Sequence, residues 1–152
     1  MALARPRGAS VIVNDRVDLA LLAQAEGVHV GQDDLPVAEA RALLGPGAIV
    51  GFSTHSVAQI DPALATPLSY IAVGPVFGTT SKETGYNAVG LELVREAVRR
   101  ANGRPVVAIG GITLATAPAV IAAGASMVAV IADLLAGGDP AAAVRRYVNT
   151  LR

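Results

Sequence analysis

Two short apolar runs near the amino terminus each lead into a carboxylate. Val11 to Val13 is followed by Asn14 and Asp15, and Val28 to Val30 is followed within four residues by Asp34. Such runs predict buried strands, and ligands of parallel α/β proteins bind at the carboxyl ends of the strands. Two carboxylates there suit an octahedral Mg²⁺ shared with a phosphorylated substrate. Asp15 and Asp34 are therefore candidate metal ligands, and Asn14 can coordinate or orient beside them.

Each aspartate also fits a second role. Asp15 precedes a helix predicted to begin near Val17, and Asp34 precedes one predicted to begin near Pro36. Aspartate is a favoured N-cap residue, because its side chain accepts hydrogen bonds from the first turn. From these residues alone, metal ligand and helix cap both stay open.

Two further segments carry groups suited to phosphate. Gly110-Gly111 follows the apolar run 106–109, and glycines at a strand end let backbone N–H groups approach a phosphate; a plain glycine turn is the alternative. The segment 74–86 is long for a strand-to-helix connection, and such loops usually bind ligands. Its hydroxyl groups followed by Lys82 suit a diphosphate, although a solvated loop rich in hydroxyls has the same composition.

The two histidines give a weaker signal. His29 and His55 have no evident triad partners in the sequence. His29 lies between two valines, so we expect a hydrogen-bonded strand residue rather than a catalytic base.

Short runs rich in Val and Ile alternate with Ala- and Leu-rich helical stretches, which predicts βα units on a parallel sheet. The runs are continuously apolar, as expected of strands covered on both faces. Strands are predicted at about 10–14, 27–31, 48–53, 69–75, 105–110 and 126–131. Helices are predicted at about 17–25, 36–44, 56–65, 90–101, 114–123 and 139–151.

This pattern predicts a (β/α)₈ TIM barrel that lacks about two of its eight units, or roughly 50 to 60 residues. Residues 2–5 resemble the last turn of a preceding helix. We therefore expect residues 1–152 to be a single domain, a partial barrel that starts near the third strand. A naturally open six-stranded sheet is the alternative.

The composition excludes several classes of protein. The 152 residues are 53% hydrophobic and 16% charged, which fits a folded domain rather than a disordered chain. Twelve basic and 12 acidic residues with only 3% aromatics argue against nucleic-acid binding. Glycines and prolines divide the uncharged segment 105–132 into pieces too short for a membrane span. The absence of cysteine excludes disulfides and thiolate chemistry, and it fits a cytoplasmic protein.

The motifs, in their order and spacing, resemble those of the thiamine-phosphate synthase family over about residues 10 to 135. The matching segments are Ile-Val-Asn-Asp-Arg (12–16), Gly-Val-His-Val-Gly-Gln-Asp-Asp (27–34), Gly-Phe-Ser-Thr-His (51–55), Gly-Pro-Val-Phe (74–77) leading to Thr-Thr-Ser-Lys (79–82), Ala-Ile-Gly-Gly-Ile (108–112) and Val-Ala-Val-Ile (128–131). The resemblance implies a (β/α)₈ enzyme that joins hydroxymethylpyrimidine diphosphate to a thiazole phosphate and releases diphosphate. Its partners would be these small molecules, and homo-oligomerisation is left open.

The resemblance also implies roles for individual residues. Asp15 and Asp34 would hold Mg²⁺, and Ser53 and Lys82 would be the catalytic residues. Substrate contacts would come from Asn14, Ser53, Thr79, Ser81, Lys82 and Gly111 and from the backbone of Ile131 and Ala132.

The chain departs from the family pattern at a few points. Gly78 stands where the family usually has proline, Ser81 where it has threonine, and Ala132 where a phosphate-binding serine is common. The family's Gln-x-Arg-x-Lys strand has no counterpart in residues 1–152. Two alternatives remain at this stage. One is the related thiazole tautomerase, which needs no carboxylate pair, and the other is a non-catalytic phosphate-binding fragment.

Overall fold

A computed structural model describes residues 1–78 and 85–152. Its strands form where β-branched residues cluster, because these side chains pack well on a pleated surface. The strands are β1 (Ile12–Asn14), β2 (Gly27–Val30), β3 (Ile49–Thr54), β4 (Tyr70–Val73), β5 (Val106–Ile109) and β6 (Met127–Ala129). They follow chain order in one sheet, and the pairs β1–β2, β2–β3 and β5–β6 are parallel.

Helices separate the strands, as the alternating pattern predicts. They are α1 (Val17–Leu22), α2 (Val37–Leu44), α3 (Val57–Leu64), α4 (Gly90–Arg100), α5 (Ala117–Ala122), α6 (Ala132–Leu135) and α7 (Pro140–Thr150), and a 3₁₀ helix, Arg5–Arg7, precedes β1. Within the described ranges, no helix has the length and apolar character required to cross a bilayer.

Three elements differ in detail from the sequence-based expectation. The four-residue helix α6 was not predicted, because one turn is too short to show a helical period. α5 begins at Ala117 rather than near 114, since the Thr116 hydroxyl accepts the Thr113 N–H at 2.9 Å and closes a turn there. Residues 1–7 form a turn and the 3₁₀ helix in place of a final α-helical turn.

The chain packs as two compact units, each with its own buried aliphatic side chains. The first contains Met1–Thr54 and Ala58–Ile71, and the second contains His55–Val57 and Ala72–Arg152. Each fully buried side chain of this size contributes about 1.5–3 kcal/mol of transfer free energy. The first unit buries Val28, Val30, Val50, Ile60 and Ile71, and the second buries Val73, Val76, Val94, Val106 and Val120.

Candidate functional site

In the first unit, the candidate polar residues follow the carboxyl ends of adjacent strands. The parallel register pairs Asn14, the last residue of β1, with His29 of β2. Asp15 comes directly after β1, Asp34 lies in the connection between β2 and α2, and Ser53 lies in the last residues of β3. Parallel strands run in one direction, so these residues share one edge of the sheet.

A chain of side-chain hydrogen bonds joins Ser53, His29 and Tyr70. His29 Nε2 lies 2.8 Å from Ser53 Oγ, and His29 Nδ1 lies 2.9 Å from the Tyr70 hydroxyl. The rings of His29 and Tyr70 stack with centroids 5.6 Å apart. Glycine at position 51 makes room for them, because a Cβ there would lie 2.1 Å from Tyr70 Cζ. The expectation of a hydrogen-bonded strand histidine at position 29 is confirmed.

The hydrogen bonds that join Tyr70, His29 and Ser53 depend on which of these side chains donates a hydrogen and which accepts it. Burial raises the pKa of the Tyr70 hydroxyl, so it keeps its proton at neutral pH. A neutral imidazole has one N–H and one acceptor nitrogen. With a neutral imidazole, one of the two hydroxyls donates to His29 and the other accepts from it. The Ser53 hydroxyl is thus held in a defined orientation by a partly buried histidine.

The connection between β2 and α2 is tied down beside Ser53. Asp34 Oδ2 accepts the backbone N–H of Gly31 at 2.7 Å, which orients the carboxylate. Gln32 Nε2 donates to the backbone oxygen of Ser53 at 2.6 Å. The loop that carries Asp34 is therefore anchored to the end of β3.

Asp15 adopts a backbone conformation that suits few residues. Its φ is +64°, and its N–H donates to His29 O at 2.7 Å. Aspartate and asparagine tolerate this left-handed region better than most residues. The N-cap residues of α1 and α2 are Arg16 and Pro36. Neither Asp15 nor Asp34 therefore occupies the N-cap position that the helix-cap alternative assigns to it. Arg16 instead forms an ion pair with Asp18 at 2.5 Å, and its hydrogen bond lowers the pKa of Asp18 to about 2.

In the second unit, Gly110 and Gly111 have φ values of +98° and +62°. A Cβ on Gly110 would lie 2.5 Å from Pro75 Cα, and a Cβ on Gly111 would lie 2.4 Å from the Gly78 oxygen. The Phe77 N–H donates to Gly110 O at 3.0 Å. The positive φ angles and the close backbone packing therefore account for glycine at both positions.

Two further predicted substrate contacts of this unit, Ile131 and Ala132, lie at the start of α6. Ile131 is the N-cap residue, Ala132 is the first helical residue, and both are exposed. Asp133 accepts from the Leu114 N–H at 3.0 Å and from the Tyr147 hydroxyl at 2.7 Å, which ties α6 to its neighbours. Burial, followed by the contact with Asp133, raises the pKa of Tyr147. The predicted Thr79, Ser81 and Lys82 lie outside the described residues.

Sequence reasoning missed Tyr70, which is 41 residues from His29. The available signal was the position of this tyrosine at the start of an otherwise aliphatic strand. The hydrophobic pattern assigns such a residue to the core. Only the sheet brings the phenol against the imidazole.

Comparison with known proteins gives a consistent result. Residues 1–134 match the profile of the family described as thiamine monophosphate synthase. The thiamine-phosphate synthase of Mycobacterium sp. (strain JLS) is 47% identical over 148 residues, which are 97% of this chain and 65% of the relative. That of Gloeobacter violaceus (strain ATCC 29082 / PCC 7421) is 49% identical over 144 residues, 95% of this chain and 42% of the relative. The chain therefore spans about two thirds or less of the length of these curated relatives.

Solved structures support the fold. The thiamine phosphate pyrophosphorylase from Pyrococcus furiosus has a TM-score of 0.89 and 33% identity, covering 99% of this chain and 71% of that one. This likeness confirms the predicted α/β barrel-type fold. The profile match over most of the chain decides the classification: the chain belongs to the thiamine monophosphate synthase family.

Proposed function

We propose that this chain couples hydroxymethylpyrimidine diphosphate to a thiazole phosphate, with Mg²⁺, to give thiamine phosphate and diphosphate. The observation that carries the proposal is the shared strand-end edge of Asn14, Asp15, Asp34 and Ser53. Its support is the 47% and 49% identity to relatives named thiamine-phosphate synthase.

The two aspartates fit a magnesium ion by their chemistry. Mg²⁺ is usually bound through one or two carboxylates, with waters and substrate phosphates completing its shell. Among residues 1–78 and 85–152, no group of three or more His, Cys, Asp or Glu residues is placed to hold a metal ion by itself. The Gly31 N–H fixes the Asp34 carboxylate through Oδ2. When bound, the ion would neutralise charge on the departing diphosphate.

The chain's own groups would act by positioning and electrostatics. The carbon–oxygen bond to diphosphate breaks, the electron-rich aminopyrimidine stabilises the methylene cation, and the thiazole nitrogen captures it. No covalent nucleophile is needed. Ser53, oriented by His29, would donate to the diphosphate, and Lys82 would neutralise its developing charge. The remaining proposed contacts are Asn14, Thr79, Ser81 and Gly111 and the backbone of Ile131 and Ala132.

The proposed family activity leads to further proposals about domain organisation, cellular location and substrate class. We propose that residues 1–152 belong to one domain and act on small molecules. We also propose that the chain acts in the cytoplasm, which its cysteine-free composition fits. Homo-oligomerisation stays open. Light scattering of the purified chain measures it directly.

The test is turnover by the 152-residue chain with both substrates, followed by mass spectrometry of thiamine phosphate and an assay of released diphosphate. We expect release that requires Mg²⁺ and stops with a chelator. Lys82→Met should abolish it, whereas Arg104→Met, which removes an exposed charge elsewhere, should not. Isomerisation of a thiazole without diphosphate release would contradict the proposal and favour the tautomerase.

A further inference from the structure

A hydrogen-bond chain crosses three neighbouring strands of the first compact unit. Tyr70 is the first residue of β4, His29 lies in β2, and Ser53 lies near the end of β3, the strand between them. The Tyr70 hydroxyl meets His29 Nδ1 at 2.9 Å, and His29 Nε2 meets Ser53 Oγ at 2.8 Å. A Cβ at position 51 would lie 2.6 Å from His29 Nδ1, so Gly51 leaves this nitrogen room for the phenol. The two hydroxyls are therefore linked through the two nitrogens of one ring.

A neutral imidazole carries its hydrogen on one nitrogen, which allows two directions for this hydrogen-bond chain. In the first direction, Tyr70 donates to Nδ1 of His29, and Nε2 of His29 donates to Ser53. In the second direction, Ser53 donates to Nε2, and Nδ1 donates to Tyr70. The first direction leaves the hydrogen of Ser53 for an acceptor outside this hydrogen-bond chain, whereas the second does not.

The surroundings of Tyr70 favour the first direction. Its side chain is half-buried, and burial raises the pKa of its hydroxyl, which therefore keeps its hydrogen. Among residues 1–78 and 85–152, this hydroxyl forms one hydrogen bond, with His29 Nδ1. In the second direction, the phenolic hydrogen would have no protein acceptor among those residues, which is costly in half-buried surroundings. A phenol is also more acidic than an aliphatic hydroxyl and is therefore the stronger donor.

Ser53 fits the accepting end of this hydrogen-bond chain. A serine hydroxyl can accept one hydrogen bond and donate another. Its backbone oxygen accepts from Gln32 Nε2 at 2.6 Å, so the residue is held on both its backbone and its side chain. Its position at the carboxyl end of β3 places it on the sheet edge that also carries Asp15 and Asp34. A hydrogen presented at this edge suits an oxygen that only accepts, such as that of a phosphate group.

We propose that Tyr70 is a positioning residue that sets the tautomer of His29 and, through it, the direction in which Ser53 donates. Tyr70 donates to Nδ1, the ring carries its hydrogen on Nε2, and Ser53 accepts that hydrogen. The Ser53 hydroxyl then presents its own hydrogen to an anionic oxygen. That this oxygen belongs to the diphosphate rests on the proposed function, whereas the tautomer of His29 does not.

Nuclear magnetic resonance of the isotopically labelled chain measures the tautomer, because ring nitrogens with and without hydrogen differ strongly in chemical shift. The chain has two histidines, and the variant His55→Asn assigns their signals. His55 is an internal reference of the opposite kind. Its Nδ1 lies 2.6 Å from the backbone oxygen of Gly74, which only accepts, and its ring stacks on Tyr86.

The wild-type spectrum decides the tautomer without any substitution at the site. At about pH 8.5, where imidazole is ordinarily neutral, we expect the hydrogen on Nε2 of His29 and on Nδ1 of His55. The two rings should thus show opposite tautomers. A hydrogen on Nδ1 of His29, or on both of its nitrogens, would overturn the proposal.

One variant tests whether Tyr70 sets this tautomer. Tyr70→Phe keeps a ring to stack on His29 and removes only the hydroxyl. Since Nδ1 loses this donor, the form with hydrogen on Nδ1 should rise to about one fifth or more. The matched control is Tyr147→Phe, which removes a hydroxyl that donates to Asp133 in the second compact unit and should leave the His29 signals unchanged. An unchanged His29 tautomer in Tyr70→Phe would refute the role of Tyr70, as would an equal change in Tyr147→Phe.

A double-mutant cycle tests whether Tyr70 acts through Ser53. Tyr70→Phe should lower kcat about fivefold and change KM less than about twofold, because Ser53 donates to charge that develops in the transition state. In the Ser53→Ala background, the same substitution should change kcat less than about 1.5-fold. Equal losses in both backgrounds would refute the positioning role. A wild-type chain without turnover would refute the proposed function, and the spectra would still decide whether Tyr70 sets the tautomer of His29.

Discussion

Ser53 Oγ lies 2.8 Å from His29 Nε2, so the candidate catalytic hydroxyl ends a hydrogen-bond chain that begins at Tyr70. A serine at a strand end otherwise rotates freely among its rotamers. Here the imidazole fixes the hydroxyl before any substrate arrives, and such preorganisation costs nothing at the moment of reaction. The relationship leads to the first prediction.

Ser53→Ala should lower turnover about 10- to 100-fold and reduce the free energy of unfolding by only about 1 kcal/mol. The matched control is Ser69→Ala. Ser69 Oγ accepts the Val50 N–H at 3.0 Å and an Arg41 N–H at 2.9 Å, so its loss leaves donors unsatisfied. We expect that control to lose about 1–3 kcal/mol without a change in turnover. Steady-state kinetics and urea unfolding of both variants decide between catalytic and structural roles.

Asp15→Asn and Asp34→Asn should each abolish Mg²⁺-dependent turnover while leaving stability nearly unchanged. Asparagine tolerates the positive φ of position 15, and at position 34 it keeps an oxygen for the Gly31 N–H. Asp15→Ala should in addition lose about 1 kcal/mol through backbone strain. Titration calorimetry with Mg²⁺ and inorganic pyrophosphate measures metal binding directly. Unchanged turnover with a clear loss of stability would assign the aspartates a structural role.

Gly111→Ala should destabilise the fold by about 2–4 kcal/mol, because a Cβ would lie 2.4 Å from the Gly78 oxygen at a φ of +62°. Gly103→Ala is the control. Gly103 has a φ of +84° with nothing within 4 Å of a Cβ, so only about 1 kcal/mol of strain is expected. Thermal unfolding of the two variants measures the difference. Equal losses would mean that the loop moves aside at little cost.

Acid should weaken the fold partly through Glu26. The hydrogen bond from Arg5, and then that from the Val11 N–H, lowers the pKa of Glu26 from its ordinary value of 4.5 to about 2. A lowered pKa stabilises the folded state above the unfolded value, and this contribution disappears as pH falls through the window from 4.5 to 2. The unfolding midpoint should therefore drop less steeply with acid in Glu26→Gln than in the wild type. Parallel curves would exclude Glu26 as a source of the acid sensitivity.

The sequence alone determined the order of the six strands and of every helix except α6, and the edge at which Asp15, Asp34 and Ser53 lie. Both follow from local rules: apolar β-branched runs form strands, and the chain leaves each parallel strand at its carboxyl end. The motif resemblance then identified the family.

Only the tertiary structure decided which side chains meet. His29 finds Tyr70 and Ser53 because three strands lie side by side, and His55 finds Gly74 and Tyr86 because the chain returns to it after β4. Such contacts depend on register and on glycines that leave room, and neither appears as a periodic pattern. The sequence therefore predicts where chemistry can occur, and the fold selects the partners that orient it.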